Sequence, residues 1–334
     1  MRDNKQVIVY HSPLSENSPA DELDVIDQAA FFSSALQNLG FRALELPFPV
    51  DAAKLEEQLM QIQPLFVVNL VETIFGSGRL VHLAPSLFEH FFIPYTGCSA
   101  AAIYQTSNKV LAKKLMLLEG IPTPEFFSPT DQPELQQIAN KSWLIKSVME
   151  HASFGLCESQ PLLFYSWDEI NERLAREKNP GEFFAEKYIH GREFNLSLIG
   201  TSQMPEVLPP AEIRFSYPPL KPRIVGYKAK WVEDSFEYKN TNRTFDFETA
   251  DQNLLSQLRD ISVKCWRVFG LNGYARIDFR VDEAGKIFVL EINANPCISP
   301  NSGFVAAASK ASLSETELIK KIVSGCFNLS YQQA

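Results

Sequence analysis

No apolar run in this chain approaches the roughly 18 to 20 residues that span a bilayer, and Met1 to Gln6 lack the apolar stretch of a secretory signal. A cytoplasmic protein without a membrane partner is therefore expected. No basic stripe is present either: 31 Lys and Arg face 40 Asp and Glu, a net charge of −9. That balance argues against a nucleic-acid partner. It leaves small anionic substrates open, because those feel the local field of a cleft. Cysteine is scarce. Cys98, Cys157, Cys265, Cys297 and Cys326 are odd in number, and no pair has zinc or redox-motif spacing, so reduced thiols are expected. Internal repeats and low-complexity tracts are missing too. What is present is 334 residues, 45% of them hydrophobic, enough for two or three packed domains.

The first hundred residues alternate strand-like and helix-like segments. Strands are expected at Gln6–His11, Phe41–Phe48, Leu65–Leu70 and Ile93–Thr96, and helices at Asp21–Leu39, Asp51–Ile62 and Leu80–Phe91. Such alternation predicts a parallel sheet with helices on both faces, whose ligands bind beyond the carboxyl ends of the strands. Those ends are His11-Ser12, Asn69 to Glu72, and Thr96-Gly97. Glu72 is placed either to bind a substrate ammonium or to serve its own loop. A domain boundary is expected near Gln105, followed by a helix capped by Ser107 and ended by Gly120. Beyond it short strands appear at Trp143–Val148, Phe183–Ile189 and Arg192–Ile199. Pro209 to Thr244 reads as long loops, and Leu254–Phe269 as an amphipathic helix.

Tyr274 to Asn293 is the clearest element: two alternating strands around Asp282-Glu283-Ala284-Gly285. If Val281 pairs with Lys286, Arg276 stands opposite Glu291 and Asp278 opposite Val289. One face then carries Arg276, Asp278, Glu291 and Asn293, and the other Ala275, Ile277, Phe279, Phe288, Leu290 and Ile292. A polar hairpin face is ordinarily just solvated. Here the carboxylates, the amide and the arginine gather at one end and run into Ala294-Asn295-Pro296. Two carboxylates and an amide oxygen suit a hard cation such as Mg²⁺, and Arg276 suits developing negative charge.

With these residues in view, the chain resembles the ATP-grasp superfamily, and within it the D-alanine–D-alanine ligases. The resemblance rests on IPYTG (93–97), SNKVLAKKLMLLEGIPTP (107–124), WLIKS (143–147), AEKYIHGREFNLSLIG (185–200), AKW (229–231) and YARIDFRVDEAGKIFVLEINANP (274–296). It implies an α/β fold: a Rossmann-like N-terminal domain (1–105), then a two-subdomain α+β ATP-grasp fold (106–200 and 201–334). Position by position it implies ATP as cofactor, with Lys109 and Lys146 on the phosphates and Glu186, Lys187, Tyr188 and Ile189 around adenine. Glu193 would hold the ribose and Lys230 would reach the γ-phosphate. Asp278, Glu291 and Asn293 would hold Mg²⁺ (or Mn²⁺), and Arg276 would support the transition state. A homodimer is implied by the resemblance alone. Taken one at a time, each lysine also reads as a solvated or snorkelling side chain.

Departures from the family pattern cluster around the amino-acid substrates. Tyr10 to Glu16 lacks the family's glycine-rich loop, and Asn69 to Glu72 and Gly76-Ser77-Gly78 replace its histidine-glycine and Gly-Glu-Asp-Gly elements. Glu150 to Gly155 replaces the loop over the phosphates, and Glu150 to Leu156 reads as a mobile lid. Trp231 follows Lys230 where tyrosine is usual. Cys297 stands where glycine is normal, either as a packing residue or as a nucleophile. Ser302 remains as a carboxylate anchor. The expectation is an ATP-dependent carboxylate–amine ligase with rebuilt substrate pockets. A true D-alanine–D-alanine ligase, an ester-forming enzyme and a non-catalytic ATP-binding protein are the alternatives.

Overall fold

The computed structural model describes residues 5–14, 20–128, 131, 133–149, 162–177 and 179–328. The expected lid, Glu150 to Leu156, and Cys157 lie outside the described residues. In chain order the strands are β1 (Gln6–His11), β2 (Arg42–Pro47), β3 (Val67–Leu70), β4 (Phe126–Phe127), β5 (Trp143–Ser147) and β6 (Phe183–Lys187). They continue with β7 (Gly191–Gly200), β8 (Pro205–Val207), β9 (Ala211–Phe215), β10 (Thr241–Thr244), β11 (Gly273–Asp282) and β12 (Ile287–Asn293). The helices are α1 (Ala20–Asn38), α2 (Ala52–Ile62), α3 (Leu83–His90), α4 (Ala100–Ser107), α5 (Lys109–Leu118) and the single turn α6 (Leu135–Ile138). After them come α7 (Trp167–Leu174), α8 (Tyr227–Trp231), α9 (Phe236–Lys239), α10 (Gln252–Val268), α11 (Gly303–Lys310) and α12 (Glu315–Ser324).

The first sheet is parallel, in the order β2-β1-β3. It is buried on both sides, which is why β1 reads as a continuous apolar run. Ile8 and Tyr10 pack toward Phe48, Leu55, Phe88 and Tyr95. Val7 and Val9 face Phe32 and Leu36 of α1, and the same core takes in Ile319 and Ile322 of α12 from the far end of the chain. The strand expected at Ile93–Thr96 shrinks to one bridge between Tyr95 and Val67. Pro94 has no N–H to extend the ladder and offers only its carbonyl, to Val67 N at 2.8 Å.

Helix α5 is capped by Asn108 and not by Ser107. The Asn108 side chain accepts from Leu111 N at 3.0 Å, while Ser107 closes α4. Residue 105 therefore lies within a helix. Two antiparallel sheets follow, one in the order β4-β6-β5 and a larger one in the order β10-β9-β7-β11-β12 with β8 beside β7. The stretch expected to be loops holds β9, α8, α9 and β10. β9 alternates apolar and charged residues, Ala211-Glu212-Ile213-Arg214-Phe215, a strand pattern that the loop reading missed. Arg192 on β7 donates from Nε to its Glu212 Oε1 at 2.8 Å and from Nη1 to Asp251 at 2.6 Å.

The β11–β12 register differs from the expected one. Asp282 N donates to Lys286 O at 3.0 Å, so Val281 pairs with Ile287 and not with Lys286. Gly285, at φ +82, supplies the left-handed residue that a three-residue hairpin loop needs. A bulge then passes over Leu290, so Asp278 stands opposite Glu291 and Arg276 opposite Asn293. The polar set stays on one face. On the core face the shift at the turn puts Ile287 and Val289 in place of Phe288, and the bulge leaves Leu290 unpaired.

Gly273, at φ +71, begins β11 against Gly97, whose Cα and N would each lie 2.9 Å from a Cβ at that position. The seam is sealed by Cys98 Sγ donating to Asn272 O at 3.1 Å and by Asn272 Nδ2 donating to Gly97 O at 3.3 Å. Gly285 has open space around it. Gly285→Ala should therefore cost only the left-handed strain, about 1–2 kcal/mol. Gly273→Ala should cost more, at least about 3 kcal/mol, because backbone must also move. Denaturant melts of both variants check the order, and equal losses would contradict the close approach.

Candidate active site

The carboxyl ends of β1 and β3, the β11–β12 hairpin and the small sheet meet at one cleft. On the floor of the large sheet, alternation puts Glu193, Asn195 and Ser197 of β7 opposite Arg280, Asp278 and Arg276 of β11. Arg276 holds Asp278 with both ends of its fork, Nε to Oδ1 at 2.8 Å and Nη2 to Oδ2 at 2.9 Å. Asn195 donates to the same Oδ1 at 2.7 Å. Burial opposes the Arg276 charge, yet Asp278 and Glu291 hold its pKa above the ordinary arginine value. Asp278, Glu291 and Asn293 thus present two carboxylates and an amide oxygen on adjacent strands. This hard donor set fits Mg²⁺, which tolerates few protein ligands and keeps its waters. Among the described residues no group of three or more His, Cys, Asp or Glu is gathered in a metal-binding cluster.

Glu193 is buried, and its Oε2 receives Arg280 Nη2 at 2.8 Å. Burial raises its pKa, Arg280 opposes the rise, and Asp278 adds to it. Arg280 also donates to the carbonyls of Gly191 at 3.2 Å and of Arg223, and lies over the rings of Tyr188 and Phe215. It joins the two sheets.

The small sheet contributes the second half. Glu186, 1% exposed, is shared by two ammonium groups at 2.5 Å: Lys146 on Oε1 and Lys113 on Oε2. Burial alone would raise the Glu186 pKa, but the two lysines hold it below the usual carboxylate range. Lys146 also feels Glu291 and Glu193 across the cleft. Removing the Glu186 charge would leave two buried ammonium groups uncompensated, at a cost of about 3–5 kcal/mol, whereas removing one lysine leaves an ion pair. Lys230, on α8, keeps an exposed side chain, but its ammonium is crowded by protein. That crowding and Arg276 lower its pKa, against Glu291, Asp278 and Glu193.

Most of the expected residues therefore converge: Lys146, Glu186, Glu193, Lys230, Arg276, Asp278, Glu291 and Asn293. Lys109 is buried at the start of α5, with its N–H on Val148 O at 2.9 Å. Tyr188 and Ile189 are buried at the end of the β6 segment, Tyr188 within an apolar group with Leu144 and Ile224. The Lys187 side chain points elsewhere, to Glu125 at 2.9 Å, because alternation along β6 sends it opposite to Glu186. Lys113, Asn195 and Arg280 were missed. Spacing alone could have found them: Lys113 is one turn beyond Lys109, and Asn195 follows Glu193 by two on the same face.

The model for the family "D-ala D-ala ligase C-terminus" matches residues 132–324. This chain belongs to that family. It is an ATP-grasp ligase, of the class that forms carbon–nitrogen bonds. An uncharacterized protein, y4sG, from Sinorhizobium fredii is 31% identical over 297 residues, covering 87% of this chain and 84% of its own length. The D-alanine–D-alanine ligase of Aquifex aeolicus is 26% identical over 299 residues, covering 87% and 91%. The Bacillus anthracis D-alanine–D-alanine ligase complexed with ATP shares the fold, with a TM-score of 0.74 at 18% identity over 97% of this chain and 98% of that one. Among the described residues no helix is long and apolar enough to cross a membrane.

Beside the ligase hairpin, at the parallel sheet's edge, lies a second polar group. Ser12 Oγ accepts from Glu72 N at 2.8 Å and Thr73 N at 2.9 Å, drawing the ends of β1 and β3 together. Gln28 Nε2 donates to Glu72 at 2.9 Å and to Asp24 at 3.2 Å, and its Oε1 accepts from Ile298 N at 3.0 Å. Cys297 Sγ donates to Asp24 Oδ2 at 2.9 Å. His11 Nδ1 lies 2.8 Å from Ser12 O, within its own loop. The Ser302 hydroxyl accepts from Val305 N at 3.2 Å as the cap of α11.

Burial first, then Glu72 and Asp24, push the Cys297 thiol well above its ordinary pKa. A thiol kept protonated through neutral pH is a packing and donor group, not a nucleophile. Cys297 in the native protein should therefore alkylate with iodoacetamide far more slowly at pH 7.5 than in the denatured chain, as peptide mass mapping would report. Comparable rates would show that the thiol is activated.

Proposed function

We propose that the chain uses ATP to activate a carboxylate as an acyl phosphate and couples it to an amine, on substrates other than a pair of D-alanines. The observation that carries the first half is the close meeting of cations and carboxylates. In a chain of net charge −9, Lys146 and Lys230 both feel Glu291 and Glu193, and Arg276 lies beside Asp278. Phosphate oxygens together with a divalent cation are the ligands that such a set of opposite charges suits. In this reading Lys109, Lys146 and Lys230 meet the phosphates, and the 186–189 segment and Glu193 meet adenine and ribose. Asp278, Glu291 and Asn293 hold Mg²⁺ (or Mn²⁺), which when bound neutralises phosphate charge. Arg276 then turns from Asp278 toward the oxygen that becomes negative as the amine attacks. The protein's own contribution is positioning and charge neutralisation, not covalent catalysis. Segments 1–105, 106–200 and 201–334 serve as substrate-binding, nucleotide-binding and hairpin-bearing parts, with β7 joining the last.

The altered substrate pockets are supported by the Asp24–Gln28–Glu72–Cys297 network, which fills the carboxyl-end crevice with a thiol and two carboxylates. Glu72 is the residue we assign to a substrate ammonium. The printed functions of the relatives, D-alanine–D-alanine ligation above all, are the comparison standard. The test is phosphate release from ATP and Mg²⁺ against D- and L-amino acids, dipeptides and hydroxy acids. One carboxylate–amine pair should give ADP and an amide, and Glu291→Gln should lower the rate on the order of 100-fold or more. Best turnover with D-alanine alone would restore the parent specificity. Hydroxy-acid turnover without amine turnover would make the product an ester.

A further inference from the structure

Lys113 has no place in the chemistry just described. It sits on α5 with 1% of its surface exposed, Nζ 2.8 Å from Thr123 Oγ1 and 2.5 Å from Glu186 Oε2. Its partner across Glu186, Lys146, is 17% exposed. One lysine thus approaches the carboxylate from the closed side and the other from the cleft side. The Thr123 hydroxyl in turn donates a hydrogen bond to Val289 O at 2.8 Å. The position of Lys113 is therefore referenced to β12, the strand that carries Glu291 and Asn293.

A lysine that neutralises a buried carboxylate is not free to neutralise a phosphate. Drawing Lys146 toward a nucleotide would strand Glu186, and an unpaired carboxylate in a dry site is among the costliest groups a fold can carry. With Lys113 already on Oε2, that cost falls away. We propose that Lys113 is a positioning residue, a standing counter-ion that keeps Glu186 paired while Lys146 is shared between Glu186 and the phosphates of ATP. The inference rests on the nucleotide reading above, in which Lys146 meets those phosphates. It explains why a lysine is retained at a site with no access to ligand, where a methionine would fill the same space without the burden of a buried charge.

The experiment measures ATP affinity by calorimetry in Mg²⁺ buffer on the full chain. It compares the parent protein with Lys113→Gln, Glu186→Gln, the double variant and Lys146→Met. Glutamine at 113 keeps a hydrogen-bond donor for Thr123 and removes only the charge. Lys113→Gln should weaken ATP on the order of tenfold in the parent but less than about twofold in the Glu186→Gln background. A lysine that only supports the core would cost the same in both backgrounds, and that equality, or no loss at all, overturns the proposal. Lys146→Met separates the layers. If it weakens ATP while Lys113→Gln shows no dependence on Glu186, the counter-ion role alone fails. If it leaves ATP affinity unchanged, the assignment of Lys146 to the phosphates fails and takes the counter-ion role with it. Should Lys113→Gln not fold, Lys113→Arg keeps the charge and must bind ATP within about threefold of the parent. A tenfold loss there counts against the proposal.

Discussion

Charge enclosed between two sheets has to be balanced, and the architecture of the cleft follows from that constraint. The β11–β12 hairpin turns one face to the apolar core and the other to a space roofed by the small sheet. Three of the carboxylates bordering that space are paired within the fold: Asp278 with Arg276, Glu193 with Arg280, and Glu186 with two lysines. The pairs do not contribute much net stability, since desolvation offsets most of the attraction. They fix geometry. Asn195 and the Arg276 fork leave the Asp278 carboxylate one orientation, and Arg280 ties β7 and β11 to the carbonyl of Arg223.

The same arrangement is adapted to exchange. Arg276 and Lys146 both hold carboxylates that the ligase reading needs for something else, a metal in one case and freedom from a phosphate's competitor in the other. In the ligase reading Asp278 would be a metal ligand, and a divalent ion there would supply the charge that Arg276 supplies in this structure. The β11–β12 hairpin and the parallel sheet are also linked. Asn295, just beyond β12, accepts from Tyr274 Oη at 2.8 Å and donates to Val71 O at 3.2 Å. The hairpin is thereby joined to the residue just beyond β3, immediately before Glu72.

What could be read along the chain was local and periodic. The two-sided burial of β1, the amphipathic α10 and the gathering of Arg276, Asp278, Glu291 and Asn293 on one face all follow from alternation and turn chemistry. The face assignment survived a wrong register because Gly285 and the bulge at Leu290 each shift the pairing, and together the shifts preserve side-chain parity for the polar set. Between the turn and the bulge only the first shift applies, so Phe288 was placed wrongly, and Leu290 is the bulged residue itself, while Ile292 beyond the bulge lies where it was expected. β9 was legible too, since Ala211-Glu212-Ile213-Arg214-Phe215 alternates apolar and charged residues, but five residues amid prolines were read as loop. Two short signals were legible and passed over: the capping box of Ser314 and Glu317 at the start of α12, and Lys113 one turn beyond Lys109.

The sequence by itself determined the hairpin, its chemistry-bearing face and the order of motifs around it, because these depend on neighbours within about ten residues. Only the tertiary structure decided which charges meet. Glu186 and Lys113 are 73 positions apart, and Cys297 and Asp24 are 273 apart. No periodicity carries information over such distances. It is the packing of α5 beneath the small sheet, and of the segment after β12 against α1, that turns a buried lysine into a counter-ion and a thiol into a donor.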